Sequence, residues 1–285
     1  NDNKITVCHV LNRLDIGGME NGVVNICNQI NRGRFIPTIC CLNALGPMAD
    51  RLSPDVDLTN MAFPMGYQLT AILTLAKYFR SSKIDIVHTH AWGAGSFYGI
   101  LAAKLARVPV VVNGEHGSFF LKPHQIILQR FLSSLCNANL SVSESLKIKI
   151  NEFLGIPAEK IRVIRNGVDT DTFTGDYPRE EVLKKLNDQG YQLDSNSFYI
   201  ITVGSLKVEK GQIFLLKAFR QLKMQQVDSV RVIVVGDGPD RTMLSDYVMS
   251  NGLWEHVYFV GNRPDIPELL SVADLFVSTS VPKHE

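Results

Sequence analysis

The residues with the clearest chemical potential in this chain are two lysines set after a buried strand. Residues 198–203 (FYIITV) are continuously apolar, as in a parallel strand covered on both faces. Gly204 ends the run, Lys207 and Lys210 fall in the short polar loop that follows, and 212–219 repeats apolar residues at helical spacing. A strand that feeds a helix through a short loop gathers backbone N–H groups and the positive helix end at one point. Two ammonium groups beside that point suit a multiply charged anion such as a diphosphate. The same lysines fit equally well as solvated loop charges, and this segment alone does not choose between the two.

A second glycine loop lies near the N-terminus. Residues 4–11 read as a strand, the loop NRLDIGG follows, and 19–30 repeats apolar residues as an amphipathic helix does. Gly17 and Gly18 let backbone come close to a ligand. The dinucleotide fingerprint G-x-G-x-x-G does not match, because the spacing is G-G-x-x-x-G and the next strand, 38–42, ends in Asn43 rather than a ribose-binding acid. Nicotinamide and flavin sites are thereby disfavoured. Glu20, in the first helical turn, is expected to complement the helix dipole from the side away from the loop.

Three further groups could do chemistry. His88 and His90 alternate onto one strand face, but zinc normally takes three or four ligands and no others converge in the sequence. His90 is therefore read as lining a cleft at the strand end, and no metal is expected. Asp169, Thr170 and Asp171 spell D-x-D, yet they follow an Asn-Gly pair and read as turn and capping residues. The stretch 119–130 (FFLKPHQIILQR) mixes aromatics with Lys122, His124 and Arg130. It reads as a loop and a core-facing helix, with peripheral contact to an anionic membrane as the other reading.

The elements that must carry these residues alternate strictly. Strands at 57–63, 84–89, 109–113, 139–142 and 161–165 are interleaved with helices at 69–80, 97–106, 126–135 and 144–153. That pattern implies an α/β fold with a parallel, doubly wound sheet. Ligands of such sheets gather at the carboxyl ends of strands, where Gly17, Gly18, His88, His90 and the Glu115-His116-Gly117 run all fall. From 166 to 197 turn formers and charges dominate, and alternation restarts at 198 with strands at 198–203, 230–235, 257–260 and 275–277. The expected organisation is a first domain at 1–173, a linker at 174–197 and a second domain at 198–285.

Composition limits the function classes. A chain of 285 residues suits about two domains, and its net charge of +1 makes no case for nucleic acid. No apolar run reaches the ~20 residues of a membrane-spanning helix, and no signal-peptide pattern opens the chain. Five cysteines without a CxxC spacing read as small buried hydrophobes in a reducing compartment, so a cytoplasmic location is expected. The second half stops at Glu285, just past a strand, and is expected to be a truncated domain.

Six stretches occur in one order along the chain: GGMENGVVNI (17–26), IDIVHTHAW with GILAAKLARVPVVVNGEHG (84–117), IRVIRNGVDTDTF (161–173), VGSLKVEKGQIFLLKAF (203–219), VVGDGPDR (234–241) and VYFVGNRPDIPELLSVADLFVSTS (257–280). Together they resemble glycosyltransferase family 4, retaining sugar-nucleotide transferases of GT-B architecture with two Rossmann-like domains. The opening HVLNRLDIGGMENG is similar to the exopolysaccharide-associated members. The resemblance implies sugar transfer from a nucleoside diphosphate donor to a glycan or lipid-linked acceptor, in the cytoplasm or peripherally on the inner membrane face, with no cofactor or metal. It places Gly17 and Gly18 against the donor diphosphate, His116 at the donor sugar and Lys210 on the diphosphate. Arg263 falls where main chain meets the nucleotide base, and Glu285 matches the first glutamate of a Glu-x7-Glu pair touching the donor sugar. Ser205 stands where the family usually has arginine, which implies either that Lys207 compensates for the missing charge or that donor affinity is reduced. The second glutamate lies beyond the chain, so an active form is expected to extend past Glu285. A sugar-nucleotide epimerase and a non-catalytic sugar-nucleotide binder are the alternatives.

Overall fold

The computed structural model describes residues 4–64, 66, 68–90, 93–117 and 122–281. Contacts divide the chain into two units, Asn1–Gly167 and Val168–Glu285.

The first unit runs β1 (Ile5–Leu11), α1 (Gly18–Gln29), β2 (Phe35–Cys41), β3 (Asp57–Asn60), α2 (Leu69–Ser81), β4 (Ile86–His90) and α3 (Ala94–Ala106). It continues with β5 (Val110–Glu115), α4 (Pro123–Ser134), β6 (Ala138–Ser141), α5 (Glu144–Leu154) and β7 (Ile161–Val163). Among the described residues its sheet has seven parallel strands in the order β3-β2-β1-β4-β5-β6-β7. Chain order reverses between β1 and β4, which makes their carboxyl ends the topological switch point. Alternation along β1 sends Cys8 and Val10 into a core with Leu75 and Phe79 of α2 and Ile100 of α3. Leu11 faces the other side, against Val23, Val24 and Cys27 of α1. His9 shares that face. Local signals agree with the packing at α5, where the Ser143 hydroxyl accepts from the Leu146 amide at 3.1 Å and Gly155 ends the helix at φ 62.

The second unit contains α6 (Arg179–Asn187), β8 (Phe198–Val203), α7 (Gln212–Met224), β9 (Val230–Val235), α8 (Arg241–Ser250), β10 (Val257–Gly261), α9 (Ile266–Ser271) and β11 (Leu275–Phe276). Its parallel sheet has the order β10-β9-β8-β11, with the switch point between β8 and β11. Leu215, Leu216 and Phe219 of α7 pack on one face with Val232 and Val234, while Tyr199, Ile201 and Ile233 fill the other.

The expected linker at 174–197 is corrected here. It carries α6, whose Val182, Leu183 and Leu186 are buried with Leu193, Tyr199 and Ile201. The Arg179 guanidinium reaches Asp274 at 3.0 and 3.2 Å and the Ser197 carbonyl at 2.8 Å, and Asp274 also accepts from the Tyr199 amide at 2.7 Å. The segment is thus built into the second unit, which begins at Val168. Asp169 behaves as expected of a turn, accepting from the Asp171 amide and the Thr172 hydroxyl at 3.1 and 2.9 Å.

Candidate functional site

In the first unit the switch point is occupied by histidines. The strand register sets His9 of β1 beside His88 of β4, and His90 beside Gly114 of β5. Since residues i and i+2 share a face, His9, His88 and His90 all project to one side of the sheet. His9 Nδ1 and His90 Nε2 share a hydrogen bond of 2.9 Å, and His90 Nδ1 and His116 Nε2 share one of 3.1 Å. The His88 and His90 rings lie 4.1 Å apart between centroids, and those of His9 and His88 5.1 Å. Glycine at position 114 makes this crowding feasible, for a Cβ there would stand 3.0 Å from His88 Nε2 and 3.3 Å from His116 Nε2. Burial disfavours the imidazolium at every member, bringing His9 down to about 4 and lowering His88, His90 and His116 as well. All four are neutral at physiological pH, and each ring can donate through one nitrogen and accept through the other.

Two expectations change accordingly. His90 does not line an open cleft: it is 5% exposed and bonded through both ring nitrogens, so it backs His116. The premise that no ligand joins His88 and His90 also fails, because His9 does. His9 was invisible as a partner from sequence alone, since only the register of β1 on β4 reveals it.

The opposite face of β5 carries a separate polar network. Thr89 and Ser96 hydroxyls donate to Asn113 Oδ1 at 2.8 and 2.9 Å, and Asn113 and Gln129 amides donate to Glu115 Oε1 at 3.0 and 2.6 Å. Burial raises the Glu115 carboxyl to about 7, against the lowering effect of those two hydrogen bonds.

At the N-terminus of α1, Gly17 is half-buried and Gly18 exposed. The Glu20 carboxylate lies against Gly17, where a Cβ would collide with it. It therefore faces the loop, contrary to the expected far side, and stands where an anion at this helix end would have to displace it.

In the second unit the loop after β8 sits at the other switch point. Val208–Lys210 form a single 3-10 turn, and Gly211 at φ 60 opens α7. Lys207 and Lys210 are exposed, Ser205 is half-buried, and the Gln212 side chain donates to the Ser205 carbonyl at 3.0 Å. The neighbouring loops pass at backbone contact: a Cβ on Gly236 would strike the Gly204 carbonyl, and one on Gly211 the Thr279 carbonyl. Thr279 Oγ1 donates to the Lys210 carbonyl at 3.2 Å and the Val281 amide to that of Glu209 at 3.0 Å. The Arg263 guanidinium is committed to Asp265 at 2.8 and 2.7 Å and to Gln189 at 2.6 Å, which leaves main chain as what this position offers a base. Glu285 lies outside the described residues.

A pair of doubly wound parallel sheets, each with its polar residues at the switch point, is the GT-B class of architecture. The glycosyltransferase family 4 model matches residues 16–172 and the glycosyl transferases group 1 model matches 184–284. The chain belongs to glycosyltransferase family 4. It is 28% identical to the UDP-Gal:alpha-D-GlcNAc-diphosphoundecaprenol alpha-1,3-galactosyltransferase of Escherichia coli, over 98% of this chain and 74% of that one. It is 26% identical to the alpha-D-kanosaminyltransferase of Streptomyces kanamyceticus, over 68% of this chain and 53% of the relative. The chain therefore spans between about half and three quarters of the length of these relatives. Among solved structures, a Rickettsia africae glycosyltransferase superposes with a TM-score of 0.78 at 20% identity, covering 98% of this chain and 73% of that one. Anabaena HepE in complex with UDP and glucose gives 0.74 at 22%, covering 97% and 74%. No helix among the described residues is long and apolar enough to cross a membrane.

Proposed function

We propose that this protein transfers a hexose from a nucleoside diphosphate donor, of the UDP class, to a lipid-linked or glycan acceptor with retention of anomeric configuration. The observation that carries the reading is the β8 switch-point loop, where Lys207, Lys210 and the amino end of α7 converge on one edge of the second unit. Such a cluster is suited to the charge that builds on a departing diphosphate. The cationic duty in the transfer falls to these two ammonium groups and the helix end, with Ser205 adding a hydroxyl donor. The choice of UDP follows the E. coli relative, named for UDP-Gal, and HepE, whose complex holds UDP.

Within the first unit we assign Gly17 and Gly18 to close main-chain approach to the donor and His116 to the donor sugar. A neutral His116, held by His90, orients a sugar hydroxyl by hydrogen bond; it is not assigned a proton-abstracting role. In retaining transfer the leaving diphosphate oxygen accepts the acceptor's proton on the face from which it departs. An acceptor carried on a lipid also calls for a surface contact, and we place it on the exposed apolar residues of α4 and α5.

The reading is tested by incubating the protein with radiolabelled UDP-sugars and a polyprenyl diphosphate-linked sugar, then separating the products and determining the new linkage by NMR. An α-linked disaccharide product supports it. Conversion of the free donor to its epimer, or donor binding without turnover, would replace it by one of the two alternatives.

A further inference from the structure

Four imidazoles at one switch point are more than the orientation of a donor sugar requires. His9, His88 and His90 each offer one ring nitrogen, and the three nitrogens lie within 4.8 Å of one another. We propose that these side chains form a binding site for a late first-row transition-metal dication of the zinc class. The inference stands on the histidine geometry alone and is independent of the transferase reading.

An i, i+2 pair on β4 and its register partner on β1 present three rings from two hydrogen-bonded strands, so the ligand set is held by the sheet itself. Metal–nitrogen bonds of ~2.0–2.1 Å in tetrahedral geometry put ligand nitrogens about 3.3 Å apart. Closing the cluster from its present spacing draws the nitrogens together, and because His116 holds His90 Nδ1, His90 ligates through Nε2 and exchanges its hydrogen bond to His9 Nδ1 for a metal bond. Buried polar atoms are normally paired, yet His9 Nε2 and His88 Nε2 are buried without a hydrogen-bond partner. A cation would accept their lone pairs. Gly114 keeps the space beside His88 Nε2 open. The group contains no carboxylate, which argues against magnesium and calcium and for imidazole-preferring metals. His116, 3.1 Å from His90 Nδ1, supplies the outer hydrogen bond that usually fixes a ligating histidine. Three nitrogen donors leave a fourth coordination position for water.

The test uses the full chain after chelator dialysis. Cobalt(II) titration followed by visible absorption is expected to give tetrahedral-type bands that saturate at one equivalent and are displaced by zinc. Zinc retained after gel filtration, measured by elemental analysis, should match that stoichiometry and raise the melting temperature. His88→Gln and His9→Gln should each lower cobalt affinity by more than the ~10–100-fold that loss of an outer hydrogen-bond partner costs. His116→Gln should fall within that smaller range, and a His124→Gln/His256→Gln double variant should bind as the parent does. If His9→Gln does not fold, the half-buried His88 carries the test. A folded His88→Gln chain with an unchanged cobalt spectrum overturns the site, and so does a parent chain that retains no metal.

Discussion

Lys210 and Glu115 show how differently two charged side chains at strand ends can be used. The Lys210 ammonium is exposed and has no side-chain partner among the described residues, so a ligand can take its full hydrogen-bonding capacity. A charge-assisted bond contributes ~1.5–3 kcal/mol, so Lys210→Ala should weaken UDP binding about 10–100-fold in a calorimetric titration. Lys207→Ala should cost less, since this residue stands in for a guanidinium it cannot match. Unchanged affinity in Lys210→Ala would remove the lysine from the donor site. Glu115, only 4% exposed, works against the fold. Its carboxyl rises from an ordinary 4.5 to about 7, burial being the main cause. The folded chain therefore holds this proton to higher pH than the unfolded chain does. Glu115 costs nothing below about pH 4.5, and its ionisation progressively withdraws stability up to about pH 7, by about 3 kcal/mol in all. Glu115→Gln keeps the oxygen that accepts from Asn113 and Gln129 and cannot ionise. Urea unfolding at pH 8 should show it more stable than the parent by a few kcal/mol, with the two converging at pH 4.5. A parallel pH dependence for both chains would assign the burial penalty to another group.

At the level of elements, loops set at strand ends depend on residues that lack side chains. Gly236 follows β9 at φ +123, and any Cβ there would meet the Gly204 carbonyl. Gly236→Ala combines a backbone conformation foreign to L-residues with a collision against main chain, and should cost about 2–4 kcal/mol. Because Gly204 opens the loop that bears Lys207 and Lys210, the same change should also reduce UDP affinity; wild-type stability and affinity together would show that the loops are not so tightly interlocked. Strands and helices of this kind were largely legible beforehand. Residues 198–203 and 230–235 are predominantly apolar runs ended by glycine, and the observed strands occupy those very residues. What escaped had physical reasons. The nine residues of α6 hold few apolar side chains, REEVLKKLN, so their charges read as linker although Val182, Leu183 and Leu186 close the second unit's core. The side that Glu20 takes is not legible from a helical wheel, which does not report that a neighbouring glycine lets a carboxylate fold back over it. His9 looked like one more residue of an apolar strand, and pairing register is a tertiary property that no local pattern carries.

Considered whole, the molecule is two units, each with its own core and each with polar residues at the carboxyl edge of a parallel sheet. The first unit leaves Ile127 and Phe131 of α4 at 69% and 53% exposure, one helical turn apart on a single stripe. On α5, which packs with α4, Ile148 and Phe153 are 56% and 57% exposed. Lys122 and Lys149 are exposed nearby in sequence. Scattered apolar residues are ordinary on a protein surface, but a stripe on α4 beside further exposed apolar residues on the adjoining α5, with lysines, suits the boundary of an anionic bilayer. Full burial of an Ile or Phe side chain is favourable by ~1.5–3 kcal/mol, so Ile127→Glu/Phe131→Glu should reduce partitioning onto phosphatidylglycerol vesicles about tenfold or more. Raising salt should weaken the parent's binding further, since lysine attraction to the surface is screened within ~8–10 Å. Turnover of a short-chain, water-soluble acceptor should be unaffected, because both side chains are exposed and neither is among the residues assigned to the donor. Co-sedimentation that ignores both the glutamates and the anionic lipid fraction would sink the membrane contact while leaving the donor chemistry intact, so a lipid-borne acceptor would have to reach the protein by another surface.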